Sequence, residues 1–296
     1  MKSNAIVRII IYSLLIFILI GILGGVLEDT LAFRNGRIQK DDAPVPTESA
    51  MEIKQLDFPA QIQNIEIDWV AGSIAIHPSD SLDHIVVCEF YNDSTIPEMI
   101  CHQSGQTLKI EFTEDHEKFH LFGNNTSIRK DLTIRVPKSW MCNNLEMDVA
   151  ASTVTVQNLT IMEVDFDGAS GNLILDNCNV EELDIDTASG DVEFTGTLNS
   201  LDFDAASAKF YGEFYNCPRN LKLDSMSGDL EVVLPENAGF ELKMEAMSSS
   251  FDTDFSVSKY DNAYVCGDGA CKINVSAMSG DVNIRKGISA GKNSDH

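Results

Sequence analysis

Positive charge is scarce in this chain. Its 296 residues hold 21 Lys and Arg against 46 Asp and Glu, a formal net charge of −25. Lys2 and Arg8 are the only charges before Glu28, so the remainder stands at −27 (19 against 46). Phosphate backbones are held by basic surfaces, and this balance excludes nucleic acid as a partner. Histidine is absent between His120 and His296. A serine nucleophile needs a base beside it, so that stretch is not expected to carry one. No long amphipathic helical period occurs past residue 30, which excludes folds built on crossover helices. The seven Cys are odd in number and all lie after residue 87, too few for a dense disulfide framework. Cys266 with Cys271, and Cys88 with Cys101, are candidate pairs; buried free thiols are the alternative.

Long apolar runs are missing too, with one exception. Residues 9–27 hold no charge. As a helix they would extend ~28 Å, enough for a hydrocarbon core of ~30 Å. Lys2 and Arg8 on one side and Glu28 and Asp29 on the other orient it with the N-terminus in the cytoplasm and the rest outside. A cleaved signal peptide is the competing reading, but its apolar region is shorter and no small-x-small site follows. No Cys follows closely, which argues against a lipoprotein. Gly21 and Gly25 form a small-xxx-small pair suited to helix dimerisation. The organisation expected is a cytoplasmic stub at 1–8, a transmembrane helix at 9–27, a linker at 28–52 carrying Pro44 and Pro46, an extracytoplasmic domain at 53–287 and a disordered tail at 288–296.

What is abundant is repetition. Leu145-Glu-Met-Asp-Val-Ala-Ala is followed by Val164-Asp-Phe-Asp-Gly-Ala-Ser, Leu183-Asp-Ile-Asp-Thr-Ala-Ser and Leu201-Asp-Phe-Asp-Ala-Ala-Ser. Leu221-Lys-Leu-Asp-Ser-Met-Ser, Leu242-Lys-Met-Glu-Ala-Met-Ser and Ile273-Asn-Val-Ser-Ala-Met-Ser complete the series. The equivalent positions Ala151, Ser170, Ser189, Ser207, Ser227, Ser248 and Ser279 lie 19, 19, 18, 20, 21 and 31 residues apart. A period near 20 marks stacked units. Apolar-polar alternation makes each phrase a half-buried strand, with Leu183 and Ile185 inward and Asp184 and Asp186 in water. Gly171, Gly190, Gly228 and Gly280 supply a corner, and a second strand such as Val192-Glu-Phe follows. The fold class expected is all-β, a parallel β-helix or β-solenoid of ~20-residue repeats, clearest over 145–286. An antiparallel sandwich of the same strands is the alternative. Ile65-Glu-Ile-Asp-Trp-Val-Ala-Gly reads as an earlier copy, with Asp68 and Gly72 in the repeat positions, and 132–137 as a further strand.

These features together, namely the anchor, the Ile65–Ile76 copy, the Thr-Ile-Arg-Val-Pro strand and the Ala-Ser-Gly-Asp-Val repeats, resemble the bacterial "putative adhesin" domain of unknown function over roughly residues 55–286. Members of that group include membrane proteins encoded with envelope-stress sensing systems. The resemblance implies a right-handed β-helix-like solenoid displayed on the cell envelope. It carries over no catalytic residues.

Three side-chain patterns bear on chemistry. Asp148, Asp167, Asp186, Asp204 and Asp224 recur at one repeat position, with Asp165, Asp184 and Asp202 two residues before. Stacked, they make acidic columns, either a Ca²⁺ strip or a solvated face. Neighbouring charges ~5 Å apart in water repel by only ~0.8 kcal/mol, so the columns are tolerable without metal. The Ser column reads as a hydroxyl ladder satisfying the corner backbone. His116-Glu-Lys-Phe-His120 matches H-E-x-x-H, in which two imidazoles on one helix face hold Zn²⁺ and Glu117 acts as base. A third His would fall at Thr126, and Glu146 or Glu163 would have to serve in its stead. The segment is too short for a zincin helix and is read as a chance match in a charged loop. A polysaccharide enzyme would need basic and aromatic groups along a groove, whereas Lys209, Arg219, Lys222 and Lys243 are scattered and Tyr211 and Tyr215 are the best-placed aromatics. The expectation is therefore a non-enzymatic adhesion or interaction surface, with the membrane and a protein or wall-polymer partner, no cofactor and no catalytic or metal residues. A carbohydrate-active or wall-polymer-binding β-helix is the alternative, and a zinc hydrolase a more distant one.

Overall fold

A computed structural model describes residues 52–91, 97–113 and 129–287. The run at 9–27, most of the 28–52 linker, His116, Glu117, His120 and the 288–296 tail lie outside the described residues. Among the described residues there is no helix, only strands and turns.

The strands stack into two parallel ladders joined at a corner. The first runs β5 (Thr107–Glu111), β2 (Asn64–Ser79), β7 (Cys142–Gln157), β8 (Thr160–Ser170), β9 (Leu173–Ser189), β10 (Val192–Ser207), β12 (Asn220–Ser227), β18 (Cys271–Ser279), β14 (Phe240–Ser248). The second starts at β6 (Asp131–Pro137), passes through the other halves of β2, β7, β9 and β10, and continues β11 (Phe210–Phe214), β13 (Leu230–Pro235), β19 (Val282–Gly287), β15 (Phe251–Thr253). Parallel pairing throughout both ladders rules out the sandwich. The Ile65 copy takes its expected place, with Asp68 opposite Asp148.

Antiparallel strands cover the ends. At one end β3 (His84–Phe90) pairs with β6, β1 (Glu52–Pro59) with β3, and β4 (Ile100–Ser104) with β5. At the other, β17 (Ala263–Cys266) pairs with β14 and β16 (Ser258–Tyr260) with β17. Edge strands with free N–H and C=O groups invite further pairing, and these additions move that edge away from the regular repeats.

Spatial order departs from chain order at both ends: β2 lies between the later strands β5 and β6 on one side and β7 on the other. The last repeat, β18 and β19, sits between the β12–β13 rung and the β14–β15 rung. Reading the seven phrases as consecutive neighbours is therefore corrected: Ser227 lies beside Ser279, and Ser279 beside Ser248.

The core is the alternation made solid. Leu145, Val164, Leu183, Leu201, Leu221, Ile273 and Leu242 form one buried column, and Met147, Phe166, Ile185, Phe203, Leu223 and Val275 the next. Each such side chain contributes roughly 1.5–3 kcal/mol on burial. Aromatic pairs tie neighbouring turns, Phe194 with Phe214 at 5.5 Å and Phe203 with Phe210 at 5.2 Å between centroids. At the corner Gly190 adopts φ 120°, and a Cβ there would lie 1.6 Å from the Gly171 carbonyl oxygen. The rungs stack too closely there for any side chain.

Candidate functional site: an in-register acidic face

Because the ladder pairs identical repeat positions, the outward acids align residue on residue. One column runs Glu66, Glu146, Asp165, Asp184, Asp202, and its neighbour runs Asp68, Asp148, Asp167, Asp186, Asp204, Asp224. Each column thus repeats at the strand spacing of ~4.8 Å. Lysines close the first column at both ends: Lys109 stands opposite Glu66 and Lys222 opposite Asp202. The Lys109 Nζ lies 3.1 Å from Glu111. The Lys222 Nζ lies 2.6 Å from Asp202, 3.3 Å from Asp204 and 3.2 Å from Asp224.

The middle rungs carry no such cation. Burial against the neighbouring strands, reinforced by the charge of Asp148, Asp165 and Asp186, pushes Asp167 up to about 7. Burial, then Asp202 and Asp186, raises Asp184 to about 6. Burial, then Asp204 and Asp202, does the same to Asp186, also about 6. Glu146, Asp148 and Asp165 shift upward for the same first reason. Desolvation and like charge both disfavour the ionised form. Burial works against the Lys222 charge, but its bonds to the aspartates win and raise its pKa. The result is a strip with cations at its margins and protonatable carboxylates at its centre.

The other sequence candidates are not gathered into a site. Ladder serines donate to the backbone of the preceding turn, Ser170 to Ala150 O at 3.2 Å, Ser189 to Ala169 O at 3.4 Å and Ser279 to Met226 O at 3.4 Å. That is the hydroxyl ladder expected. Among the described residues, no group of three or more His, Cys, Asp or Glu converges in a way that could hold a metal ion. Lys222 belongs to the acidic face and Lys243 pairs with Glu241 at 3.2 Å. Lys209 and Arg219 are exposed. Tyr211 bonds Glu213 at 3.2 Å on the second ladder, and Tyr215 lies beyond the end of β11. Basic and aromatic groups therefore do not share a groove. Glu146 and Glu163 are ladder residues on the face itself.

None of the seven cysteines is in a disulfide in this structure. Phe240 of β14 stands opposite Cys266 on one side and opposite Cys271 on the other. Two strand spacings of ~4.8 Å separate those cysteines, more than a disulfide spans. The Cys266–Cys271 pairing considered from sequence is thus corrected. Cys88 and Cys101 sit on β3 and β4, which belong to different ladders.

The lysine closures went unread in the sequence although the signal was there. Leu108-Lys-Ile-Glu and Leu221-Lys-Leu-Asp are the repeat phrase with Lys at the first acidic position.

A parallel β-solenoid with one acidic face is what fold and site define. The chain belongs to the Toastrack DUF4097 family, which matches residues 62–285. Among solved structures it is similar to a "putative adhesin" from Bacteroides fragilis, at 16% identity over 79% of this chain and 97% of that one, TM-score 0.45. A "putative adhesin" from Parabacteroides distasonis matches at 11% identity over 79% and 95%, TM-score 0.40. A "putative cell adhesion protein" from Clostridium sporogenes matches at 14% identity over 79% and 99%, TM-score 0.37. No curated protein matches.

Proposed function

We propose that this protein is a membrane-anchored, extracytoplasmic solenoid whose acidic face is a non-enzymatic interaction surface. The observation that carries the reading is the in-register acidic strip, which presents eleven carboxylates of two columns on one face (five from Glu66 to Asp202, six from Asp68 to Asp224). Family membership supports it, as does the serine ladder being engaged with backbone rather than poised for attack. The anchor rests on the apolar run at 9–27 and its flanking charges, with 28–52 as the tether. A rigid face held off a membrane suits recognition of an extended, positively charged partner, a basic protein segment in preference to a neutral polymer. Charge complementarity of this kind sets partner choice and encounter rate. An accessory role in envelope sensing accords with such a display.

A photoreactive residue placed at Asp184 in the full chain tests this in the intact producing cell, with one at exposed Lys209 as the control. The expected outcome is a discrete cross-linked partner from position 184 that weakens as ionic strength rises. A partner captured only from position 209, or none at either, contradicts the reading.

A further inference from the structure

Away from the acidic face, where the inserted rung meets its neighbour, two cysteines converge. Cys217 lies in the turn between β11 and β12, and Cys271 opens β18. Both converge on one carbonyl: the Cys217 Sγ lies 3.5 Å from Gly239 O, and the Cys271 backbone N–H donates to the same oxygen at 3.0 Å. The shared acceptor brings the two thiols close enough to shift one another's pKa. Their surroundings differ. Cys271 is fully buried, whereas half-buried Cys217 lines an open cavity of about 560 Å³ with Tyr215, Gly239, Asp268 and Ala270. An external reagent therefore reaches one sulfur and not the other.

We propose that Cys217 and Cys271 form a redox-active dithiol that closes to an intramolecular disulfide and clamps the inserted rung in place. The oxidant is a disulfide, small-molecule or protein-borne, written RSSR. The Cys217 thiolate attacks one sulfur of RSSR, breaking its S–S bond and releasing RS⁻, which takes up the Cys217 proton. Cys271 then loses its proton and attacks Cys217 Sγ of the mixed disulfide, expelling the second RS⁻, which takes up that proton. The sum is two protein thiols and RSSR going to one protein disulfide and two RSH. The asymmetry of the pair suits these roles. The neighbouring Cys271 thiol lowers the pKa of Cys217, against burial and the charge of Asp268, while Cys271 is raised by the proximity of Cys217 and by burial. An accessible thiol of lowered pKa attacks, and a buried neighbour resolves. The third nearby thiol, Cys266, bonds Ala238 O at 3.7 Å and lies across β14 from Cys271. It is not the resolving group.

The bond would join residues 54 positions apart (271 − 217) and hold the last repeat where it is inserted between two earlier rungs. Treating the full-length protein with oxidised glutathione tests the proposal, followed by alkylation, peptide mapping and thermal melts. The expected result is a Cys217–Cys271 cross-linked peptide and a melting temperature raised by about 5–15 °C, both reversed by dithiothreitol. The cross-link is lost in Cys217→Ser and kept in Cys266→Ser. A Cys271→Ser variant traps glutathione on Cys217; should that variant not fold, the Cys217→Ser and Cys266→Ser pair decides alone. Cys217 remaining fully alkylatable after oxidation, or cross-linking to Cys266 instead, overturns the proposal.

Discussion

Gly190→Ala lowers the melting temperature by about 4–24 °C or abolishes the cooperative fold. The reason is local and severe. At φ 120° an L side chain is strained by about 1–3 kcal/mol. The new Cβ would also meet the Gly171 carbonyl oxygen at 1.6 Å. That atom is backbone, held by the ladder on both sides, so the rungs must separate. Forced separation in a packed stack costs a further ~1–3 kcal/mol. At ~2–4 °C per kcal/mol for a domain of this size, the two effects together amount to about 4–24 °C. Gly105→Ala is the control: φ is 60°, nothing lies within 4 Å of the added Cβ, and a loss of no more than a few degrees is expected. Thermal melts of the two variants side by side make the comparison.

The second large effect is at the opposite end of the solenoid from the inserted rung. Lys130 and Glu89 form an ion pair with both side chains fully buried, at 2.5 Å. Lys130 also donates to Phe112 O and, at 3.0 Å, to Pro97 O. Its Nζ stands 4.2 Å from the centroid of Phe112, which packs edge-on against Trp69. Glu89 accepts the Met99 N–H at 2.9 Å and 3.0 Å. Burial pushes the Lys130 pKa down, with Glu89 opposing the shift. Lys130→Met leaves the Glu89 carboxylate uncompensated and is expected to cost about 3–5 kcal/mol, read as a fall in denaturation midpoint. Adding Glu89→Gln removes the stranded charge while its amide oxygen still accepts from Met99, and should restore more than half of the loss. A single mutant as stable as the native protein, or a double mutant no better than the single, contradicts the assignment of an ion pair to this site.

Much of this architecture is legible in the chain. The alternation at Leu183-Asp-Ile-Asp dictates which face each residue takes, and the burial of Leu183 and Ile185 follows directly. Glycine after the ladder serine marks the corner at Gly171, Gly190, Gly228 and Gly280, although Ala208 takes the same place after Ser207. Spatial order at the C-terminal end was not legible, for a physical reason. The phrases at 221, 242 and 273 are nearly interchangeable as strands, so local pattern does not choose which lies beside which. The choice is made by residues outside the repeat. β17 turns back and occupies one edge of β14, which leaves the other edge for β18. The Lys130–Glu89 pair was hidden for a related reason: between Arg129 and Asp131, Lys130 reads as one more loop charge until the fold closes over it. On the acidic face, alignment of the aspartates followed from the period, whereas their upward shifts depend on depth between strands and on where the lysines fall.

In-register stacking forces carboxylates together without cations at the middle of the face, and the pH dependence of melting reports on that crowding. Asp167, Asp184 and Asp186 hold protons in the folded chain up to about pH 6–7. In the unfolded chain aspartates release them near pH ~3.9. Between those limits the folded state binds more protons, so stability decreases as pH rises through the window. From these carboxylates the protein should melt highest near pH ~4 and progressively lower toward pH ~7, levelling beyond it, with solvent screening moderating the size of the change. Asp167→Asn should flatten the slope. A melting temperature that is level or climbs from pH 5 to pH 8 would contradict an uncompensated acidic ladder.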